Sequence, residues 1–280
     1  MSQSQASTIT RKAKSNLAFA LIDLPEEERR HMAEFYAFCR LVDDIVDEPG
    51  MTPEQRHDAL NRWISVVTQQ ASDLNELEAD LTRLITELKL DLDPMLRLIE
   101  GCRGDIAPVQ PKNKEELLAY TYSVASCVGL TSARILGASE AAFPYAVSLG
   151  HALQLVNIIR DMSEDYHQHE RIYMPADDMK KYGYTVEDIK NKVHSPALTK
   201  MLRHEAKLAR QFFTEAENIY TTLSPEDKSA LIPAQAMSLI YGTILDKMKD
   251  DGFNIYAKRY RVNTFHKLWL LFRARLGISA

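Results

Sequence analysis

Two runs of acidic side chains set into apolar helical sequence constrain this chain more than any other feature. The first lies in Phe35-Tyr36-Ala37-Phe38-Cys39-Arg40-Leu41-Val42-Asp43-Asp44-Ile45-Val46-Asp47-Glu48, where Asp43 and Asp47 stand four residues apart and Asp44 and Asp47 three. Residues at these spacings share one face of an α-helix, with Cβ atoms about 5–6 Å apart. The second lies in Gln154-Leu155-Val156-Asn157-Ile158-Ile159-Arg160-Asp161-Met162-Ser163-Glu164-Asp165, where Gln154, Asn157, Asp161 and Asp165 step by three, four and four into another stripe. Like charges on one face repel by about 0.2–0.5 kcal/mol per pair even on an isolated helix, so each stripe calls for a positive partner. Mg²⁺ meets that need, because it takes carboxylate oxygens together with waters and phosphate oxygens. If the two helices face each other across a central cavity, Asp43, Asp44, Asp47, Asn157, Asp161 and Asp165 would hold Mg²⁺ ions around a diphosphate. Arg40 and Arg160, each beside a stripe, would complete the charge balance on phosphate oxygens. Charge runs are usually solvated surface faces. Here both runs sit among strongly apolar neighbours, and aromatic Phe35, Tyr36 and Phe38 head the first.

Apolar residues recur at helical spacing almost throughout, and β-branched alternation of period two is scarce, so the fold class is all-α. Pro25 followed by three glutamates opens a helix that runs to about Asp47. Pro49 and Gly50 end it, and Thr52-Pro53-Glu54 forms the cap and first turn of the next. Further breaks fall near Asp93-Pro94, Gly104 to Pro111, Gly137, Pro144, Pro175, Gly183, Pro196 and Pro225. The polar stretch from Glu170 to Val193 predicts short helices and a flap-like connection. His167 and His169 are placed in that connection as surface residues.

With 280 residues, 45% hydrophobic and 26% charged, the chain can bury a sizeable core. A flexible N-terminus over residues 1–13 and one domain over 14–280 are expected. A net charge of −5 and a pI near 5.9 provide no overall basic field, so no nucleic-acid partner is predicted. Cys39, Cys102 and Cys127 are odd in number and contain no CxxC pair, which suits neither a disulfide framework nor a zinc site and points to the cytoplasm. Met1 to Thr10 lacks the pattern of a signal peptide, and no stretch reaches about 18 uninterrupted apolar residues. Phe265 to Leu276 interleaves Lys267, Arg273 and Arg275 with Leu268, Trp269, Leu270, Leu271 and Phe272. That segment is either a final helix packed on the core, the commoner case, or a peripheral contact with the inner membrane face.

The acidic segments resemble the two aspartate-rich motifs of the squalene/phytoene synthase family, whose helices face each other in an isoprenoid-synthase fold. Tyr36 to Arg40 with Asp43 to Asp47 is similar to the first motif, Gln154 to Asp165 to the second, and Arg171-Ile172-Tyr173-Met174-Pro175 to the stretch that follows it. Tyr120-Thr121-Tyr122-Ser123-Val124-Ala125-Ser126-Cys127-Val128-Gly129 resembles a third block, with Ser126 in place of the usual glycine. That variant, and the stretch from Arg261-Val262 to Lys267-Leu268-Trp269, look more like bacterial presqualene diphosphate synthases than phytoene synthases. Because small residues let a helix bend or approach a chain-like substrate, Ser126 is expected to reshape the lipid pocket slightly. The resemblance spans about Lys14 to Leu276.

What the resemblance implies is a prenyltransferase that condenses two farnesyl diphosphates head to head to presqualene diphosphate, with two geranylgeranyl diphosphates and phytoene as the alternative. The implied catalytic residues are Asp43, Asp47, Asp161, Asp165, Tyr36 and Tyr120. Arg40, Gln154, Asn157, Arg160, Arg171, Tyr173, Tyr241 and Lys258 would bind substrate, Arg259 being the neighbouring choice to Lys258. Mg²⁺ is the implied cofactor, and NADPH enters only if the reaction proceeds to squalene. Ser15-Asn16-Leu17 matches the family's N-terminal serine motif loosely. The competing non-enzyme reading is a helical module that binds a lipid or a basic partner, which would not require the aromatic residues at Phe35 to Phe38.

Overall fold

The computed structural model describes residues 5–6, 16–22 and 24–277, and among them there is no β-strand. Ser15 and nearly all of residues 1–13, for which a phosphate contact and flexibility were expected, lie outside the described residues.

Helix α1 is Asn16–Ala20 and α2 is Glu26–Asp47, the latter with Pro25 as N-cap and Glu26, Glu27 and Glu28 in its first turn. Helix α3, Pro53–Val67, begins with a full capping box, in which Thr52 Oγ1 accepts from Gln55 N and Thr52 N donates to Gln55 Oε1. Helices α4, Glu76–Leu88, and α5, Asp93–Gly104, follow. Phe35, Phe38, Val42 and Val46 of α2 are buried against α3, α4 and α5 in one apolar core, where the Phe38 ring meets the edge of Trp63 at 5.3 Å.

Helix α6, Lys114–Thr121, passes through a π-helical turn at Tyr122–Ser126 into α7, Cys127–Ile135. The helix is thus locally widened at the block of small residues. Helix α8, Phe143–His169, is a spine of the second core. It packs against α11, Pro196–Thr222, and α13, Ile232–Asp250. By length and composition the Glu140–His169 stretch could cross a membrane, but two thirds of its apolar window is buried (67%) and it carries the second acidic stripe, as a core helix does.

The polar stretch after α8 contains the short helices α9, Ala176–Tyr182, and α10, Val186–Lys190. Helix α8 extends further than expected: His167 and His169 occupy its last turn, which Glu170 closes in a left-handed conformation. The His167 Nδ1 group donates to Ser163 O within that turn, which satisfies a helix-end carbonyl and favours the extra residues. Helix α12 is Pro225–Ala230, and α14, Thr264–Arg275, lies on α13.

Close helix crossings surround the π turn. A Cβ added at Gly150 would stand 2.4 Å from Ser126 Cα, and one at Gly129 would stand 2.9 Å from Ala146 O. Ser126 is fully buried and donates to Val147 O at 2.8 Å. It therefore faces α8 and does not line the cavity, contrary to the expectation that it shapes the lipid pocket.

Replacing Gly150 by Ala sets a helix-propensity gain of about 1 kcal/mol against overpacking of about 1–3 kcal/mol. Because the atoms met belong to backbone, which cannot swing aside, Gly150→Ala should lower stability by about 1–2 kcal/mol in urea unfolding. Gly104→Ala, with open space around the new methyl, should be neutral or stabilising. Equal midpoints for the two variants would contradict this account of the crossing.

Candidate active site

The two cores meet along a cavity of ≈ 380 Å³. Its apolar wall takes Met32, Leu98, Cys102 and Leu136 from one core, and Ala133, Ala146, Leu149 and Met237 from the other. Its polar end is lined by Tyr36, Arg40, Asp43, Asp105, Tyr120, Gln154, Asn157 and Tyr241. Seven of these eight were singled out from sequence. The eighth, Asp105, was not.

Helix α2 presents the first stripe to this end. Arg40 spans two of its carboxylates, at 3.1 Å from Asp43 Oδ2 and 2.5 Å from Asp44 Oδ1. Asp43 keeps about half of its side chain (48%) open where it lines the concave mouth of the cavity. Burial, with Asp47 next in effect, pushes its carboxyl up to about 7 despite Arg40.

Helix α8 presents the second stripe. Arg160 donates from Nε and Nη2 to both oxygens of Asp161, at 2.9 and 2.5 Å, and lies against Tyr241. Arg259 reaches the same Asp161 at 3.2 Å and also pairs with Glu164. Asp165 is pushed up to about 8 by burial first and Asp161 second, with Asp47 of the facing stripe adding to the push. The stripes are thus within electrostatic reach of each other.

The segment after α8 ties them together. Arg171 N donates to Asp165 O at 3.1 Å, while the guanidinium donates to Asp47 Oδ1 at 2.5 Å, Val46 O at 2.9 Å and Asp105 O at 3.2 Å. Asp105 is buried and accepts from the hydroxyls of Tyr120 and Tyr173, each at 3.0 Å, whose rings stack at 4.7 Å. Burial holds Tyr120 well above its ordinary range, and the adjacent Asp105 adds to this.

Lys258 stands apart from the group. It pairs with Asp251 at 2.9 Å and lies over the Tyr260 ring, while its neighbour Arg259 is the residue that reaches the second stripe. The irregular backbone between α13 and α14 has no periodicity from which that choice could be read. Asp105 also lacked a periodic signal. Its only mark was an acidic residue opening the loop after α5, at the Gly104 break.

The donor set suits a hard divalent cation. Carboxylates are gathered faster than arginines offset them, as the raised Asp43 and Asp165 record, and the buried Asn157 Oδ1 has no hydrogen-bond partner while its amide donates to Gln154. The stripe carboxylates do not converge on one point. That spacing agrees with ions bound through one or two carboxylates each and completed by waters and phosphate oxygens.

The squalene/phytoene synthase profile matches residues 10–266. The chain is 34% identical over 262 residues to phytoene synthase 1 of Zea mays, covering 89% of this chain and 62% of the maize protein. It is 32% identical to phytoene synthase 2 of Solanum lycopersicum, covering 88% and 80% of the two chains. It spans about three fifths of the length of the first of these relatives. Among solved structures, a dehydrosqualene synthase superposes with a TM-score of 0.85 at 23% identity, covering 98% of this chain and 95% of that one. Squalene synthase HpnC from Alicyclobacillus acidocaldarius gives 0.77 at 26% identity, covering 89% and 93%. With its fold matched end to end and its family profile spanning both acidic stripes, this chain belongs to the squalene/phytoene synthase family.

Proposed function

We propose that this protein condenses two farnesyl diphosphates head to head to presqualene diphosphate. The observation that carries the reading is one cavity whose apolar wall is drawn from both cores and whose polar end takes Arg40 and Asp43 from the first stripe helix and Gln154 and Asn157 from the second. The fold's likeness to a dehydrosqualene synthase and a squalene synthase favours the shorter substrate. The phytoene synthases among its relatives favour a second reading, the same condensation of two geranylgeranyl diphosphates.

Mg²⁺ would be held by Asp43, Asp44, Asp47, Asn157, Asp161 and Asp165, where it supplies Lewis acidity to the leaving diphosphate. Arg40, Arg160 and Arg259 stand beside those carboxylates and can transfer hydrogen bonds to phosphate oxygens. Arg171 positions the first stripe by holding Asp47 and the Val46 and Asp105 carbonyls together. The apolar wall excludes water from the allylic cation, and the rings of Tyr36 and Tyr120 offer their electron-rich faces to it. The double bond of the second farnesyl diphosphate then adds to the cation, and one proton passes to the released diphosphate as the cyclopropane closes. NADPH would be required only for onward reduction to squalene.

The last helix has one face on the core and one open to solvent. Leu270, Leu271 and Ala274 are buried on the core, while Phe265 (86%), Leu268 (50%), Trp269 (55%) and Phe272 (51%) are exposed beside Lys267, Arg273 and Arg275. An aromatic stripe flanked by cations suits an anionic lipid surface, to which a water-insoluble product would pass.

Incubated with Mg²⁺ and each substrate, the protein should yield presqualene diphosphate from farnesyl diphosphate by mass spectrometry. Phytoene from geranylgeranyl diphosphate alone would select the second reading, and no coupled product from either would overturn both. Asp47→Ala and Asp161→Ala should each lower turnover by at least about 100-fold with helical content retained, and near-normal rates in both would exclude the stripes from catalysis. Arg171→Ala should cost about 1.5–3 kcal/mol of stability through its charge-assisted hydrogen bonds. Arg171→Lys, which restores charge without the fork, should recover only part of the activity. In flotation with anionic vesicles, the double change Trp269→Ser and Phe272→Ser should reduce binding about tenfold while leaving turnover in detergent unchanged. Equal flotation would remove the lipid-facing role.

A further inference from the structure

A second group of ionisable side chains lies away from the cavity, where α9 packs on α11. Asp178 projects from the first turn of α9, and His204 and Glu205 are consecutive on α11. One ligand atom from each of the three lies within 4.8 Å of the others, and His204 Nε2 is 3.5 Å from Asp178 Oδ1. Glu205 is 2% exposed and Asp178 8%, so two carboxylates stand side by side out of water. The Glu205 Oε1 atom has no hydrogen-bond partner at all. A buried carboxylate oxygen without a donor is costly, and it is most so beside another carboxylate. Burial, with Asp178 next, pushes Glu205 up to about 8.

The nearest cation does not resolve this. Lys181 Nζ stands 3.6 Å from Asp178 Oδ1 on a side chain that is 57% exposed, and it also lies over the Tyr182 ring. It meets the solvent edge of Asp178 and leaves the Glu205 oxygen unpartnered. A proton or a cation is still called for between the two acids.

We propose that Asp178, His204 and Glu205 bind one divalent transition-metal ion of the zinc class, at a site separate from the aspartate stripes. One imidazole nitrogen and two carboxylate oxygens are a donor set of that class, whereas Mg²⁺ and Ca²⁺ prefer oxygen alone. Tetrahedral coordination at about 2.0–2.1 Å places ligand atoms about 3.3–3.4 Å apart, so the observed separations require only a small closure. The partly exposed His204 leaves the fourth position to water.

The ion would clip the flap to the second core. Helix α9 directly follows Arg171 to Pro175, which position Asp47 and Asp105. On its other side the flap is held by few bonds, among them Gln110 Nε2 to Met174 O at 2.8 Å and Ala176 N to Pro111 O at 2.8 Å. The role is structural and does not rest on the proposed condensation. A similar trio, Glu27, His31 and Glu87, lacks the decisive feature: His31 Nε2 lies 2.9 Å from Arg30 Nη2, and both glutamates are exposed.

The test uses the full chain, freed of metal with a chelator and titrated with Co²⁺, whose visible absorption is intense in four- or five-coordinate nitrogen–oxygen sites and weak in octahedral oxygen sites. One equivalent with the intense signature is expected in the unaltered protein and in Asp47→Ala. His204→Ala and Glu205→Gln should each weaken that binding by at least about tenfold, and Zn²⁺ should raise the unfolding midpoint of the unaltered protein but not of Glu205→Gln. Glu205→Gln keeps shape and removes the buried charge, so it should fold, with circular dichroism as the check. Absence of the Co²⁺ signature, or its retention in His204→Ala, would overturn the site and leave a proton shared by Glu205 and Asp178 as the explanation.

Discussion

The architecture depends on bringing carboxylates from two helices together at the end of an apolar cavity. Two unit charges 4 Å apart interact by about 4 kcal/mol at an effective dielectric of 20, so helix faces bearing Asp43, Asp44, Asp47, Asp161 and Asp165 cannot approach without intervening cations. The arginines meet this demand from four different places in the chain. Arg40 and Arg160 come from the stripe helices themselves, Arg259 from the irregular segment before α14, and Arg171 from the flap after α8. The position of Arg171 gives that flap its course: the chain must double back past the second stripe for one side chain to reach Asp47 and two carbonyls of the first core.

The same arrangement explains why the interior tolerates an opening. Protein cores pack to crystal-like density, and voids lined by apolar atoms are costly. Here the helices cannot close the cavity, because their crossings elsewhere are already at contact. Gly150 rests on the Ser126 backbone, Gly129 on Ala146 O, and Gly101 on Val124 and Ser123. These contacts fix the separation of α5, α7 and α8 around the π turn. The cavity is the space left between two well-packed cores, and a rigid frame of backbone contacts keeps it open.

Periodicity made much of this legible. Residues three and four apart share a helix face whatever the tertiary context, so both stripes could be read directly, and turn chemistry gave the start of α2 at Pro25 and the cap at Thr52. The capped starts before α11 and α12 follow the same chemistry, with Ser195 and Ser224 each accepting from a backbone N–H. What periodicity cannot supply is the placement of residues outside helices. Asp105 becomes significant only because α6 and the flap deliver Tyr120 and Tyr173 to its two oxygens. The choice between Lys258 and Arg259 is set by a backbone without a repeat. Ser126 shows a further limit, since a match in motif marked the position but not the face on which the hydroxyl would lie.

The tyrosines beside the cavity illustrate why burial and hydrogen bonding must be read together. Tyr120 is held well above its ordinary range by burial, and its hydroxyl donates to Asp105. It therefore stays a neutral phenol across physiological pH. For the chemistry proposed above this matters in both directions. A neutral ring still offers the electron-rich face that stabilises a passing carbocation, whereas a phenolate oxygen at the same position would be a nucleophile able to capture it. Burial, more than Asp105, keeps the proton on that hydroxyl and leaves the ring as the surface the proposed cation would meet. The pairing with Asp105 fixes where the oxygen sits, so in this reading a carboxylate outside any periodic motif orients one aromatic wall of the cavity.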